Sequence, residues 1–432
     1  MKFSSVQRSL ELAKLLTQVG VKEFQSSDLK SRYDQALLIT KSLAKLKGAA
    51  MKAGQLLSLD LDHYFPPEAV ELLSQLQNAA NAHPFEEIEI IINREISPLK
   101  RSLIHSVTET PIGVASIGQV HRARYAELDI VLKVQYQDLA DSVASDLIIL
   151  KTLAQTFCNL SGRKMNLEPL FKEFRSILDQ ELDYKIEASF LVEYSKNLSN
   201  LVSRPGYKFR TPQVFLEISS NKVLAMTFEK GVTLRQWMNL KPNKSDRSLM
   251  AEALLDLYFH EFFEWGLVQT DPNLGNFLVD QNELGINICL IDFGATRRYS
   301  REFIHKYIYL LDLVASNQST ELKKFLIEFE MLDAREADSA FVAFEKILKI
   351  AITPFFTNLN NKVFNFSDTS YLLESTAAVK VLTKELVYTA PPHSILFLHR
   401  KLAGVYSILK TLEANIDISP YWQMMKDLSK KN

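Results

Sequence analysis

"QTDPNLGNFLVD", residues 269–280, and "LIDFGATRRY", residues 290–299, decide how this chain folds. Asp271 and Asn276 stand five positions apart, and Asp292 follows Asn276 by 16. The segment between them, "FLVDQNELGINICLI", is β-like and interrupted by a turn, the pattern of a hairpin. The residue types fit one chemistry. A carboxylate and an amide oxygen are hard donors suited to Mg²⁺, and moving or cleaving a γ-phosphoryl group requires a polyanion to be neutralised. Asn276 and Asp292 are therefore the expected metal ligands, and Asp271 the group that orients or deprotonates a nucleophile.

An aspartate, an asparagine five residues later, a hairpin and then Asp-Phe-Gly is the order found in protein-kinase catalytic segments. A kinase-like chain also needs a phosphate loop and an anchored lysine upstream. "PIGVASIGQVH", residues 111–121, reads as a turn between two strands, with small residues at Gly113, Ala115, Ser116 and Gly118 that let backbone N–H groups approach phosphates. About fifteen residues on, "IVLKVQY" sets Lys133 in a β-branched strand, the placement of a lysine that reaches the α- and β-phosphates. Glu229, closing the β-like run "KVLAMTFEK", joins Gly113, Val114, Ala115, Ser116 and Lys133 as a nucleotide-binding candidate. Such a lysine needs a carboxylate partner. The segment "FRSILDQELDYKIEASF" offers Glu181, Asp183 and Glu187, and one continuous helix would put Asp183 and Glu187 on the same face, with Glu181 displaced. Periodicity does not choose among the three.

Working outward, 432 residues imply two or three packed units. Hydrophobic residues at 47% and charged residues at 23% are globular values. Fifty Lys+Arg against 51 Asp+Glu leave a net charge of −1, which gives no global field for nucleic acid. Cys158 and Cys289 form no metal spacing and fit a reducing compartment. No secretory signal is expected in "MKFSSVQRSLELAKLL", whose apolar run is broken by Glu11 and Lys14. The most lipid-like stretch, "SILFLHRKLAGVYSIL", is interrupted by His399, Arg400 and Lys401, so no transmembrane helix is expected.

Three regions follow: a helical preface over 1–105, a β-rich lobe with a helix over 106–230, and a helical lobe over 231–432 carrying the catalytic segment. Helical spacing runs from about Leu139 to Leu201, and "PQVFLEIS" reads as a β-like run. One stretch of the preface is anomalous. "GAAMKAGQLLSLD", residues 48–60, has the apolar spacing of a buried helix but holds Lys52, Gly54 and Gln55 in its middle. Glycine costs a helix interior about 1 kcal/mol against alanine, and a buried lysine costs more unless it is paired.

These motifs resemble the UbiB family of atypical kinase-like proteins, which support coenzyme Q (ubiquinone) biosynthesis. The resemblance spans about residues 40–415 and rests on a Lys-x-Gly-Gln helix (Lys52, Gly54, Gln55), a loop ending "VASIGQVH", a Glu-x-Asp motif (Glu181, Asp183) followed by Glu187, the spellings "QTDPN" and "DFGATR", and closing helices like "APPHSILFLHRKLAGVYSILKTLEANI". It implies an α+β, protein-kinase-like two-lobe fold, helix-rich, with an N-terminal extension that carries Lys52 over the active site. Lys52 would meet Glu181 or Asp183, and Lys133 would pair with Glu187. The family's loop usually reads Ala-Ala-Ala-Ser; here those positions are Gly113, Val114, Ala115 and Ser116. The glycine keeps both ATP and ADP as expected ligands.

The resulting expectation is an atypical kinase-like ATPase that binds a nucleotide with Mg²⁺ and supports ubiquinone synthesis at a membrane surface. Asp271, Lys133, Lys52, Glu181, Asp183 and Glu187 would form its catalytic set. Expected partners are a quinone-precursor lipid, the membrane surface and coenzyme Q biosynthetic proteins, with no nucleic acid. The expected location is cytoplasmic and peripheral to the membrane, on the mitochondrial matrix side in a eukaryote. The rival readings are a small-molecule or lipid phosphotransferase and a nucleotide-binding scaffold without turnover.

Overall fold

The computed structural model describes residues 82–115, 117–137, 147–148, 151, 155, 164–201, 204–283, 285–356, 363–390 and 393–429. Lys52, with the whole of the Lys-x-Gly-Gln stretch, and Ser116 lie outside them. The strands used below are β1 (Ile104–His105), β2 (Gly113–Val114), β3 (Gly118–Tyr125), β4 (Leu128–Gln135), β5 (Tyr207–Arg210), β6 (Val223–Thr227), β7 (Val232–Thr233), β8 (Leu267–Gln269), β9 (Phe277–Asn282), β10 (Gly285–Leu290) and β11 (Thr296–Arg298). The helices are α1 (Phe85–Glu95), α2 (Pro98–Arg101), α3 (Glu168–Glu181), α4 (Tyr184–Ser199), α5 (Leu234–Asn239), α6 (Lys244–Phe259), α7 (Arg301–Ala315), α8 (Ser319–Glu328), α9 (Asp338–Phe356), α10 (Thr369–Glu385), α11 (His393–Thr411) and α12 (Ser419–Ser429).

The chain divides into two compact units. Of the described residues, the first takes those up to Gln155 with Leu167–Ile186 and Phe215–Thr227; the second takes those in Glu187–Val214 and from Phe228 onward, with the short piece before Leu167.

The first unit is built on an antiparallel sheet in the order β1-β3-β4-β6, with β2 also on β3. β4 is its centre: Ile130 through Gln135 are all buried, so the strand reads as a continuous apolar run broken only by Lys133 and Gln135. α1 buries Ile88, Ile91 and Ile92, spaced three and four apart, while Glu86 and Glu87 occupy its first turn, where the helix dipole favours acids. α3 follows the same rule with Leu170, Phe174, Ile177, Leu178 and Glu181.

Two local expectations are corrected. "PQVFLEIS" is not a strand: Leu216–Ile218 form a 3₁₀ turn, held by bonds from Ile218 N–H to Phe215 O and from Ser219 Oγ to Phe215 O. The acidic segment is not one helix. α3 ends at Glu181, and α4 starts at Tyr184. Asp183 stands between them and accepts the Lys185 N–H at 3.0 Å, the cap that a short carboxylate makes more readily than it sits inside a helix. Asp183 and Glu187 are therefore not two positions on one helical face.

In the second unit β9 and β10 form the expected hairpin, with Phe277 opposite Leu290 and Asn282 opposite Gly285. β5 joins β10 in parallel and β7 pairs with β9. β8 and β11 form a separate antiparallel pair, with Gln269 opposite Thr296. The segment carrying Asp271 and Asn276 thus leaves one end of that pair and the Asp-Phe-Gly segment returns to it. Among the described residues no helix is long and apolar enough to cross a membrane.

Candidate functional site

The candidate residues fall into two groups, one in each unit. In the first unit the phosphate-loop candidates sit on the β2–β3 hairpin. Gly113 is opposite Val120 and Val114 opposite Gln119, and Ala115 N–H closes the turn on Gly118 O at 2.8 Å. Gly118 is required by close approach: a Cβ there would lie 2.4 Å from Val134 O and 2.7 Å from the Tyr184 hydroxyl. Gly113 is not, since its Cβ would meet only Val120 side-chain atoms at 3.9 Å. Alanine fits at Gly113, so this departure from the family's loop is not imposed by packing.

Gln119 and His121 belong to the same quoted motif but face inward, both fully buried. Gln119 Oε1 accepts from His83 N–H at 2.8 Å and from the Tyr136 hydroxyl at 3.2 Å. Its amide nitrogen must then be the donor to His121 Nε2 at 2.9 Å, which leaves His121 Nδ1–H to donate to Thr108 O at 2.5 Å. That set of bonds needs a neutral imidazole. Burial lowers the His121 pKa accordingly, against the opposing pull of the Thr108 carbonyl.

Lys133 lies on β4 between Val120 of β3 and Leu224 of β6. It is buried, with its ammonium 5.3 Å from the centre of the Tyr184 ring. Glu181 is buried at the end of α3, whereas Asp183 is half-buried and occupied as a cap. Glu187 belongs to the second unit, where its Oε1 accepts the Phe293 N–H of Asp-Phe-Gly at 3.3 Å. Glu229 stands beside Arg210 at 3.4 Å.

In the second unit Asp271 is held at both oxygens. Asn276 Nδ2 donates to Oδ2 at 3.1 Å, and Arg400 Nη2 donates to Oδ1 at 3.3 Å. Because its NH₂ is turned onto Asp271, Asn276 presents its amide oxygen elsewhere. The 3₁₀ turn Leu274–Asn276 that sets this orientation is capped by Asn273, whose Oδ1 accepts the Gly275 N–H at 2.9 Å. Hairpin register does the rest: Ile291 N–H bonds Asn276 O at 3.1 Å, so residue 276 and the segment leading into Asp292 meet at one end of β9–β10. Asp292 Oδ1 accepts the Gly294 N–H at 3.1 Å. Among the described residues no cluster of three or more His, Cys, Asp or Glu could hold a metal. One amide oxygen and one carboxylate suit Mg²⁺, which takes few protein ligands and completes its shell with phosphates and water.

Sequence reasoning missed a buried network behind this loop. Glu261, fully buried, pairs with Lys401 at 3.0 Å. It also accepts from the Tyr194 hydroxyl at 2.6 Å and from Gln269 N–H at 3.1 Å. Gln269 Nε2 then donates to Asp292 O at 3.3 Å. Burial raises the Glu261 pKa while Lys401 and the hydrogen bonds oppose it. Phe293 is fully buried with its ring centre 4.9 Å from that of Tyr194. The signal for this network was in the sequence: Arg400 and Lys401 interrupt one apolar helix, and Glu261 interrupts the aromatic run "YFHEFFEW". Charges inside apolar runs call for one another.

Residues 75–326 match the ABC1 atypical kinase-like domain, more than half of the chain. A Dictyostelium discoideum protein named probable serine/threonine-protein kinase abkA is 28% identical over 91% of this chain and 71% of its own length. Atypical kinase COQ8, mitochondrial, from Schizosaccharomyces pombe is 28% identical over 92% of this chain, which spans 63% of that relative. The solved erythromycin complex of Rv3197 from Mycobacterium tuberculosis shares the fold, with a TM-score of 0.60 and 23% identity over 92% of this chain and 96% of that one. Hairpin, Asp-Phe-Gly segment, strand lysine and matched domain lead to one conclusion: the chain belongs to the ABC1 (UbiB) family of atypical kinase-like proteins.

Proposed function

We propose that the protein binds ATP or ADP with Mg²⁺ and hydrolyses or transfers the γ-phosphoryl group in support of ubiquinone synthesis. One observation carries the reading: Asn276 gives its NH₂ to Asp271 and so keeps its amide oxygen for a cation. Asn276 and Asp292 would hold Mg²⁺, which would neutralise phosphate charge. Asp271, fixed at both oxygens, orients the attacking hydroxyl or water. Lys133, with Gly113, Val114, Ala115, Ser116 and Glu229, takes the nucleotide. Glu187 holds the Asp-Phe-Gly backbone, while Glu181 or Asp183 receives Lys52. A Lys52 held there restrains transfer to proteins, because an acceptor hydroxyl needs the same volume about 3–3.5 Å from phosphorus.

The pathway assignment rests on the family resemblance and on a relative named COQ8, mitochondrial. It brings with it a quinone-precursor lipid, a membrane surface and coenzyme Q biosynthetic proteins as partners, and peripheral attachment extractable by carbonate. Nucleotide titration with and without Mg²⁺, followed by phosphate release, tests the reading. Mg²⁺-dependent release is expected. Transfer to an added small acceptor without release would favour a phosphotransferase, and binding without either would leave a scaffold.

A further inference from the structure

We infer that Arg400 is a positioning residue for the catalytic loop: from α11, beyond the matched domain, it fixes the carboxylate of Asp271 in its working orientation. The inference rests on the proposed role of Asp271.

Three observations lead to it. Arg400 is 8% exposed, and its Nη2 donates to Asp271 Oδ1 at 3.3 Å. Among the described residues its Nε and Nη1 are buried without a hydrogen-bond partner. As a purely structural ion pair this is a poor arrangement. A desolvated guanidinium with one long bond and two unmet donors is less favourable than an apolar side chain of similar volume. Its presence is understandable if the bond to Asp271 serves the site, since local rules are broken where function requires it.

The second observation is how α11 reaches the loop. A Cβ on Gly404 would lie 2.0 Å from Pro272 Cβ, so only glycine lets the helix lie against Asp-Pro-Asn this closely. Arg400 is one turn before Gly404 and therefore on the same helical face. The third is that Lys401 pins the helix on the other side of the loop's start, through Glu261 and through Gln269 Oε1 at 3.3 Å. Residues 400, 401 and 404 thus hold Gln269, Asp271 and Pro272 in fixed register. With Asn276 on Oδ2 and Arg400 on Oδ1, the carboxylate has no free rotation about its own bond. Orientation of this kind governs the chemical step more than binding, and a misplacement of about 1 Å costs on the order of a hundredfold in rate.

The test compares Arg400→Ala and Arg400→Lys with the unmodified chain in Mg²⁺-ATP turnover. Arg400→Ala is expected to lower kcat about a hundredfold, with KM for Mg²⁺-ATP changed less than threefold. Added guanidinium ion should restore at least about tenfold, filling the vacated position, and Arg400→Lys should fall between the two. A kcat within threefold of the parent, or a loss that falls equally on KM and is unmoved by guanidinium, overturns the inference. If Arg400→Ala does not fold, Arg400→Lys carries the same kcat-against-KM criterion. If the unmodified chain has no turnover, the proposed function fails, and hydrogen exchange decides the inference separately. In that case the Gly275 and Asn276 amides should exchange at least about tenfold faster in Arg400→Ala, with Ile288 in β10 unchanged. Equal exchange at residues 275 and 276 overturns it.

Discussion

The two units hold their candidate functional groups by different means. In the first, Lys133 is a strand residue whose neighbours, Val120 and Leu224, follow from sheet register. In the second, Asp271 is a loop residue whose oxygens are held by Asn276, five positions away, and by Arg400, 129 positions away. A sheet places a side chain through the repeating backbone ladder. A loop has no such ladder, so its geometry has to be imposed by side chains from elsewhere, here at the cost of burying Arg400, Lys401 and Glu261. The second unit should therefore be more sensitive to charge removal, and the first to changes that disturb its buried neutral network.

The largest effect is expected at Lys401. Lys401→Met leaves Glu261 buried and uncompensated, which should cost about 3–5 kcal/mol of stability. Adding Glu261→Gln, which keeps an acceptor for Tyr194 and for Gln269 N–H, should recover more than half. Denaturant unfolding of the single and double variants measures this. A single-variant loss below about 1 kcal/mol would remove the contrast drawn between the units.

A smaller, pH-dependent effect belongs to His121. Its folded pKa lies below the ordinary value because burial disfavours the imidazolium. Above about pH 6.5 both folded and unfolded forms are neutral, and the contribution of His121 is fully present. As pH falls through 6.5 toward the folded pKa, the unfolded chain takes up a proton that the folded one refuses. Stability should then fall by up to about 1.4 kcal/mol per pH unit. Urea unfolding between pH 7.5 and 5.5 should show a steeper loss for the parent than for His121→Gln, and parallel profiles would count against the neutral network.

The smallest effect is expected at Gly113. Because the new Cβ meets nothing closer than 3.9 Å, Gly113→Ala should change stability by no more than about 0.5 kcal/mol. Any change should appear as a shifted ratio of ADP to ATP affinity, read by calorimetry. A marked loss of stability would show that the β2–β3 turn needs glycine for its backbone.

What could be read from the sequence follows the same division. The hairpin between Asn276 and Asp292, the strand carrying Lys133 and the tight turn ending at Gly118 are all formed by contacts between near neighbours in sequence, so spacing revealed them. Asp183 was misplaced because helical periodicity continues smoothly across "DQELDYKIE", whereas a short acid able to cap the next helix ended it. The 3₁₀ turn at Leu216–Ile218 was misread for a similar reason, since its apolar residues suit a strand equally well. Arg400 and Lys401 were visible only as interruptions of an apolar stretch. That excluded a membrane span but did not reveal the acids they meet, because a buried ion pair carries no sequence spacing. Glu187, paired with Lys133 by the family resemblance, accepts the Phe293 N–H within its own unit, a contact that spacing does not reveal.

The most direct test of the account is a calorimetric titration of the intact chain and of Asp292→Asn with ATP, each with and without Mg²⁺. The account predicts that Mg²⁺ strengthens binding to the unmodified chain, and that Asp292→Asn loses about tenfold in Mg²⁺-nucleotide affinity while remaining folded. Equal affinity of a folded Asp292→Asn for Mg²⁺-ATP would contradict it.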